Sequence, residues 1–290
     1  MQEIIDAHVH AFDPARFRVK WIEQVPQLHR AIPLEEYVAL QSGNPEYRII
    51  GAVHVELDSV PEQKEEENLY FLGRIAAGDP LLMGAVLYAD MLNLDTPETL
   101  RRYQKHPNAK GIRHILHVDE APRGTCLNPV FMENVRRLSE TGLHFEGCLR
   151  PAELMDFYQL AKQCPDTAFV LNHAGLPNLL AWEKGQRQEE QKRWEEGIEA
   201  LGALPNVSCK ISGCPSDDLA ILRTALERCR RAFGPWRLMY ASNFPVCTQD
   251  ISLCRWTMAL LKWMSDRPQA EKDAFFRDNA RRIYRLEEQT

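Results

Sequence analysis

The sequence predicts a closed parallel (β/α)8 barrel with a lengthened first βα connection, and three observations predict it. Eight short runs rich in branched and aromatic residues, at 3–8, 48–57, 82–88, 110–116, 143–149, 168–173, 207–211 and 237–241, alternate with longer amphipathic or turn-rich stretches. Eight is the number of parallel strands that closes a barrel. The length of 290 residues suits one such barrel, so a single domain over 1–290 is expected. Several strands also follow a helix through a short turn carrying Gly or Pro, as at Gly142, 165–166 and 205–206.

The elements read in order. After the first strand, the stretch 14–51 is longer than a simple βα unit requires and mixes apolar and polar residues, so short helices are expected inside it. Leu69, Leu72, Ile75 and Ala76 fall at helical spacing within 61–77. Thr96 reads as an N-cap, with Pro97 at the first helical position and Glu98 next to it. Asn128-Pro129 opens a segment carrying Phe131, Val135 and Leu138. Arg150-Pro151 opens one carrying Leu154, Phe157 and Leu160, and 217–233 and 269–286 complete the helices. The second long stretch, 176–203, contains the charged run 183–196, read as a solvated helix face.

Composition excludes several function classes. Lys+Arg 35 against Asp+Glu 41 gives a net charge of −6, which argues against a nucleic acid or an anionic membrane held by bulk charge. A local cationic pocket for a small anion is still compatible with it. No apolar run approaches the 18 or more residues that would span a bilayer. The N-terminus lacks a basic segment and a hydrophobic stretch of leader length, so a cytoplasmic protein is expected. The eight cysteines contain no CxxC pair and read as reduced, buried thiols, with Cys209, Cys214 and Cys247 taken as packing. Of the tryptophans, Trp21 and Trp182 lie on the long insertions and are expected as lid residues, the others as core.

Chemistry concentrates at strand ends. His8 and His10 are two apart at the end of the first strand, so their rings project to one side at the barrel mouth. Two imidazoles there suit a divalent metal or an anionic substrate. Asp6 is either an orienter of those rings or a buried polar contact. Arg113 offers paired donors to a carboxylate or a developing oxyanion and is the expected substrate clamp. His114 points the other way and reads as packing, while His117 and Arg150 sit at the rim as substrate-binding candidates. Lys210 is expected to pair with an acidic residue inside the barrel, with Ser212 nearer the mouth as a substrate-binding candidate.

Six segments in this order resemble the amidohydrolase superfamily, and within it the lactonase branch of the amidohydrolase-2 family. They are IIDAHVHAFD at 4–13, GIRH at 111–114, VLNHAGLP at 170–177, NVSCKISG at 206–213, RLMYASNFPV at 237–246 and DNARRIYRL at 278–286. The resemblance implies a hydrolase acting on a lactone of a sugar acid or a related cyclic ester, with a small-molecule substrate and a homodimer as a compatible assembly. It implies a metal set of His8, His10, His173 and Glu56 for a divalent ion, zinc first, with a metal-free site as the alternative. Glu56 is either a ligand or a supporting group. His173, Asn243 and Arg113 are the catalytic candidates.

Asn243 departs from the pattern, because the superfamily places an Asp there that takes the proton of the attacking water. An amide accepts no proton at useful pH. Either another group such as His173 or Glu56 activates the water, or the metal is absent, or hydrolysis is lost and a ligand-binding barrel remains. In the first two cases Asn243 positions the water by hydrogen bonding. A lactone is an electrophilic ester and tolerates a modest base, which favours it over an amide. A metal-dependent decarboxylase of the same branch is the rival enzyme.

Overall fold

Apolar residues at period two give each strand one face toward the barrel interior and one toward the surrounding helices. The strands are β1 (Gln2–Val9), β2 (Tyr47–Val55), β3 (Leu82–Tyr88), β4 (Ala109–Arg113), β5 (His144–Gly147), β6 (Phe169–Leu171), β7 (Val207–Ile211) and β8 (Leu238–Tyr240). They pair in parallel in chain order in the computed structural model, which describes residues 1–214 and 216–287. The ring is drawn together at the mouth by a parallel bridge between Val9 and Phe244. There the His10 amide donates to the Phe244 carbonyl at 2.7 Å, and the Asn243 amide donates to the His8 carbonyl at 3.0 Å.

β3 and β7 coincide with the expected runs, whereas β4, β5, β6 and β8 are shorter. Leu116 and Leu149 beyond them are apolar and buried, but the chain has already left the ladder to build the mouth loops. The long first connection holds two short helices, Lys20–Glu23 and Leu34–Gln41. The helix start at 96 differs from expectation. Thr96 is already helical, Asp95 precedes it, and the Thr96 hydroxyl donates to the Asp90 carbonyl instead of capping. Asn128 caps the helix it opens, accepting from the Val130 amide, whereas the helix expected from 217 starts at Leu219, with Asp218 as its cap accepting from the Ala220 amide.

Two apolar layers result. Outside the sheet, Phe131 on Phe145, Phe145 on Phe169 and Phe157 on Phe169 pack edge to face, with Phe145 and Phe157 tilted together. Inside it, Ile5, Ala7, Val53, Val55, Val86, Val170, Met239 and Ala241 form a separate cluster, closed by Ala280, Tyr284 and Leu286 of the C-terminal helical segment. Each fully buried aliphatic side chain contributes about 1.5–3 kcal/mol.

A polar layer is set into this interior. The Glu146 carboxylate accepts from Lys210 Nζ at 2.6 Å, the Tyr284 hydroxyl at 2.6 Å, Asn172 Nδ2 at 2.8 Å and His144 Nε2 at 3.1 Å. Burial alone would raise its pKa, but Lys210 and His144 outweigh burial and hold the carboxyl well below the usual range. This is the interior pairing expected of Lys210. The eight cysteines are free thiols, and among the described residues no helix is long and apolar enough to cross a membrane.

Candidate active site

The mouth of the barrel opens into a cavity of about 380 Å³. That size lies within the range of small-molecule pockets, about 300–1,000 Å³. His10, Arg113, His117, Cys148, His173 and Asn243 are in its wall.

The β1 imidazoles converge as expected. His8 Nε2 and His10 Nε2 face each other at 3.1 Å, and the His8 ring centroid lies 4.6 Å from that of His173. The surrounding bonds fix the protons. His10 Nδ1 donates to the Val55 carbonyl at 2.8 Å, which leaves its Nε2 as an acceptor and makes His8 Nε2 the donor. His8 Nδ1 then accepts from Lys210 Nζ at 3.4 Å. Burial first, then the charges of Lys210 for His8 and Arg113 for His10, push both imidazoles well below their ordinary pKa, so both are neutral near pH 7. Asp6 does not touch the rings. Its carboxylate accepts from the Tyr37 hydroxyl at 2.8 Å and from the His8 and Ser242 amides at 3.1 and 2.9 Å. It fixes the backbone that carries His8 and ties β1 to the chain after β8.

His173 sits on strained backbone at φ 53, with Ala174 at φ 50 behind it. Non-glycine residues rarely adopt this region, and holding one there costs on the order of 1–3 kcal/mol. The strain turns the ring toward the cavity, where Nδ1 meets Ser212 Oγ at 2.8 Å. Gly213 makes room for it, since a Cβ at that position would stand 2.9 Å from His173 Cβ. Burial lowers the His173 pKa, so it too is a neutral base near pH 7. Ser212 is fully buried behind His173 and acts on that ring; it is not part of the cavity wall.

Asn243 also has a left-handed backbone, φ 61, and is only 8% exposed. Its side-chain amide lines the cavity and makes no hydrogen bond to the described residues. Arg113 is 4% exposed and is tied to Glu56, its Nε donating to Oε1 at 2.6 Å and its Nη2 to the Glu56 carbonyl at 2.7 Å. Its Nη1 has no partner among the described residues and is the group left for a ligand.

The residues do not fit the expected metal set as arranged. The Glu56 carboxylate is taken by Arg113 and by the Asp58 amide at 2.8 Å. The acid of β8 is the amide of Asn243, and His8 Nε2 carries a proton toward His10. Among the described residues, no group of three or more His, Cys, Asp or Glu side chains could hold an ion.

Other candidates separate in the same way. His117 is in the cavity wall. Arg150 is not, because its donors go to Glu153 at 2.7 and 2.8 Å and to the Ala121 and Leu116 carbonyls at 3.1 and 3.3 Å, fastening a loop. His114 packs against Phe131 and accepts from the Met91 amide, as expected. Trp21 lines the cavity and donates to the Leu57 carbonyl at 3.0 Å. Trp182 instead packs on Trp194 with ring centroids 5.3 Å apart, away from the cavity.

Sequence reading passed over Cys148. It follows β5 directly, is 1% exposed, and lies in the cavity wall against His117 and His173. Burial raises its pKa, but the charge of His117 and the hydrogen bonds of both imidazoles bring it well below the ordinary thiol value. Cys148 in turn raises the pKa of His117. Cys214 and Cys247, in the same wall, are pushed up by burial, Cys214 to about 12. The available signal was its place: Cys148 lies next to the end of a strand run, and His173 ends one.

The family follows from this fold and site together. The amidohydrolase-2 family model, described as Amidohydrolase, matches residues 5–286, and the chain belongs to that family. Among its relatives, an uncharacterised protein of Sinorhizobium fredii is 26% identical over 98% of both chains. The L-fucono-1,5-lactonase of Burkholderia multivorans is 27% identical over 75% of this chain and 76% of its own. Among solved structures, an amidohydrolase from Burkholderia multivorans with bound HEPES has the same fold, with a TM-score of 0.85 at 23% identity over 98% of this chain and 99% of its own.

Proposed function

We propose that the protein hydrolyses a lactone, opening the cyclic ester of a sugar acid. The observation that carries this reading is the meeting of Arg113, His173 and Asn243 in the wall of one small cavity. The lactonase among the relatives supports the substrate class.

Each residue has a role its surroundings allow. Arg113 Nη1, held in place through Glu56, donates to the carbonyl oxygen and to the negative charge that grows there. His173, neutral and braced by Ser212, takes a proton from the water that attacks the acyl carbon. Asn243 orients that water through its unbonded amide. Buried imidazole is a modest base, sufficient for an electrophilic ester and weak for an amide. No ion enters this scheme, because the Glu56 carboxylate is held by Arg113 and the Asp58 amide and Asn243 stands where the acid after β8 would be, and chelation is expected to leave turnover unchanged.

The test is a pH-indicator screen of aldonolactones against purified protein, with and without chelator. Acid release on at least one five- or six-membered lactone is expected. Thermal stabilisation by a sugar acid with no acid release across the panel would overturn hydrolysis and indicate a binding protein.

A further inference from the structure

Charge around the cavity is uneven. Among the described residues its wall holds one guanidinium, that of Arg113, no ammonium, and two carboxylates, those of Asp58 and Asp250. Arg113 is compensated from behind, its Nε donating to Glu56 Oε1 at 2.6 Å. Asp58 is compensated by Lys64 Nζ at 2.7 Å, an ammonium that also sits 3.7 Å over the Tyr88 ring. Asp250 has no such partner. It follows the short turn Val246–Gln249 beyond β8 and is exposed, and its carboxylate makes no hydrogen bond or ion pair to the described residues, although its amide donates to the Cys247 carbonyl at 3.2 Å. The wall imidazoles do not supply the missing cation. His10 spends its one proton on the Val55 carbonyl and accepts at Nε2, burial holds His173 neutral, and His117 gains charge through Cys148, whose sulfur gains the opposite one.

The mouth therefore carries one excess negative charge, the reverse of the cationic funnel that collects an anion. Much of the remaining wall is apolar, with Leu57, Ile115, Val118, Leu176 and Val246 in it. Trp21 adds to that surface, because its indole N–H is spent on the Leu57 carbonyl at 3.0 Å and only ring carbon is left for a ligand. A carboxylate carried into this cavity would give up water without meeting an uncompensated cation, whereas a hydroxyl or a C–H edge gives up little. We propose that the cavity takes an uncharged lactone and that Asp250, unpaired at the mouth, excludes lactones that carry a carboxylate. This rests on the lactone reading and names its substrate class. Asp250 acts as a fixed charge that the substrate must pass, so it sets specificity and takes no part in making or breaking bonds.

The experiment compares two lactones that differ at their terminal carbon alone. D-galactono-γ-lactone ends in a hydroxymethyl group, and the matching enantiomer of galactaro-γ-lactone ends in a carboxylate. With the full-length parent at low ionic strength, kcat/KM should be at least about tenfold higher on the uncharged lactone. Asp250→Asn should shrink that ratio about fivefold and Asp250→Lys should shrink it further, both with a folded circular-dichroism spectrum. Raising salt from about 0.02 M to about 0.5 M should bring the parent's two rates closer together, and Asp250→Asn should lose that salt dependence. Equal rates on the two lactones in the parent, or an unchanged ratio in Asp250→Asn, would overturn the proposal.

Failure of the lactone reading shows itself separately, as no acid release from any lactone of the panel. Where neither of the two lactones is turned over, they are read as ligands of the parent by calorimetry. Tighter binding of the uncharged one, with the gap narrowed by Asp250→Asn, supports the exclusion. Equal or tighter binding of the carboxylated one, or binding of neither, overturns it. If a variant does not fold, the salt dependence of the parent decides.

Discussion

Two layers of the same barrel differ by a few residues along each strand. On β5, Glu146 lies in the interior layer and Cys148 in the mouth; along β7, Lys210 lies in the interior and Ser212 just past the strand's end. The lower groups are saturated, since Glu146 has four donors and Lys210 is fully buried against it. The upper groups are left incomplete. The Asn243 side-chain amide has no partner among the described residues, Arg113 keeps Nη1 free of the described residues, and His173 and Asn243 are held in strained conformations. The contrast teaches that depth, more than residue type, separates scaffold from chemistry here. A polar side chain whose bonds are complete inside the protein stabilises the barrel, and one left incomplete at the mouth is available to a ligand.

The comparison is broken most severely at its lower layer. Glu146→Gln leaves Lys210 charged and buried without a counter-ion, and is expected to cost about 3–5 kcal/mol in chemical denaturation. The pH dependence has a defined sign. The Glu146 carboxyl is held well below its ordinary value by Lys210 and His144 against burial, so its contribution is present above about pH 4.3. It is lost as pH falls toward the depressed value. Parent stability should therefore fall on acidification below about pH 4.3, and the Gln variant should show a flatter profile in that window.

At the mouth the expected loss shifts from stability to rate. Arg113→Lys keeps a cation beside Glu56 but removes the second donor, and kcat/KM on the best lactone should drop by about 10²-fold. Its denaturation midpoint should move less than that of Glu146→Gln; equal destabilisation would place Arg113 in the scaffold. Gly213→Ala is the smallest and sharpest change. It puts a methyl 2.9 Å from His173 Cβ on backbone at φ 68, and should cost about 1 kcal/mol and roughly tenfold in kcat. A tenfold loss in KM alone would show that His173 binds and does not accept a proton.

Most of the barrel was legible because strand, turn and helix signals are local. The eight runs, the helix opened by Asn128 and the packing role of His114 are all read from neighbours in the chain. The β1 imidazole pair was legible for the same reason, since period two brings His8 and His10 to one side.

What escaped depends on partners far away in sequence. Arg150 and Arg113 look alike at strand ends, but one meets Glu153 and loop carbonyls while the other meets Glu56 across the barrel. Cys148 shows in the sequence only its place near a strand end, and its lowered pKa comes from His117 on the preceding strand's loop and His173 after the next strand. Glu56 read as either a ligand or a supporting group until the fold placed Arg113 against it.

The barrel is closed below by Tyr284 and Leu286, and its first strand is tied to the same end of the chain, with Gln2 Nε2 donating to Asp273 Oδ1 across 271 positions. Vectorial synthesis therefore presents the ribosome-bound chain with a problem of timing. The inner faces of the early strands, and the Glu146 carboxylate with them, wait for residues that emerge well after them. A nascent chain halted before Tyr284 carries an open-bottomed ring with an unsealed apolar lumen, a natural target for chaperones and proteases.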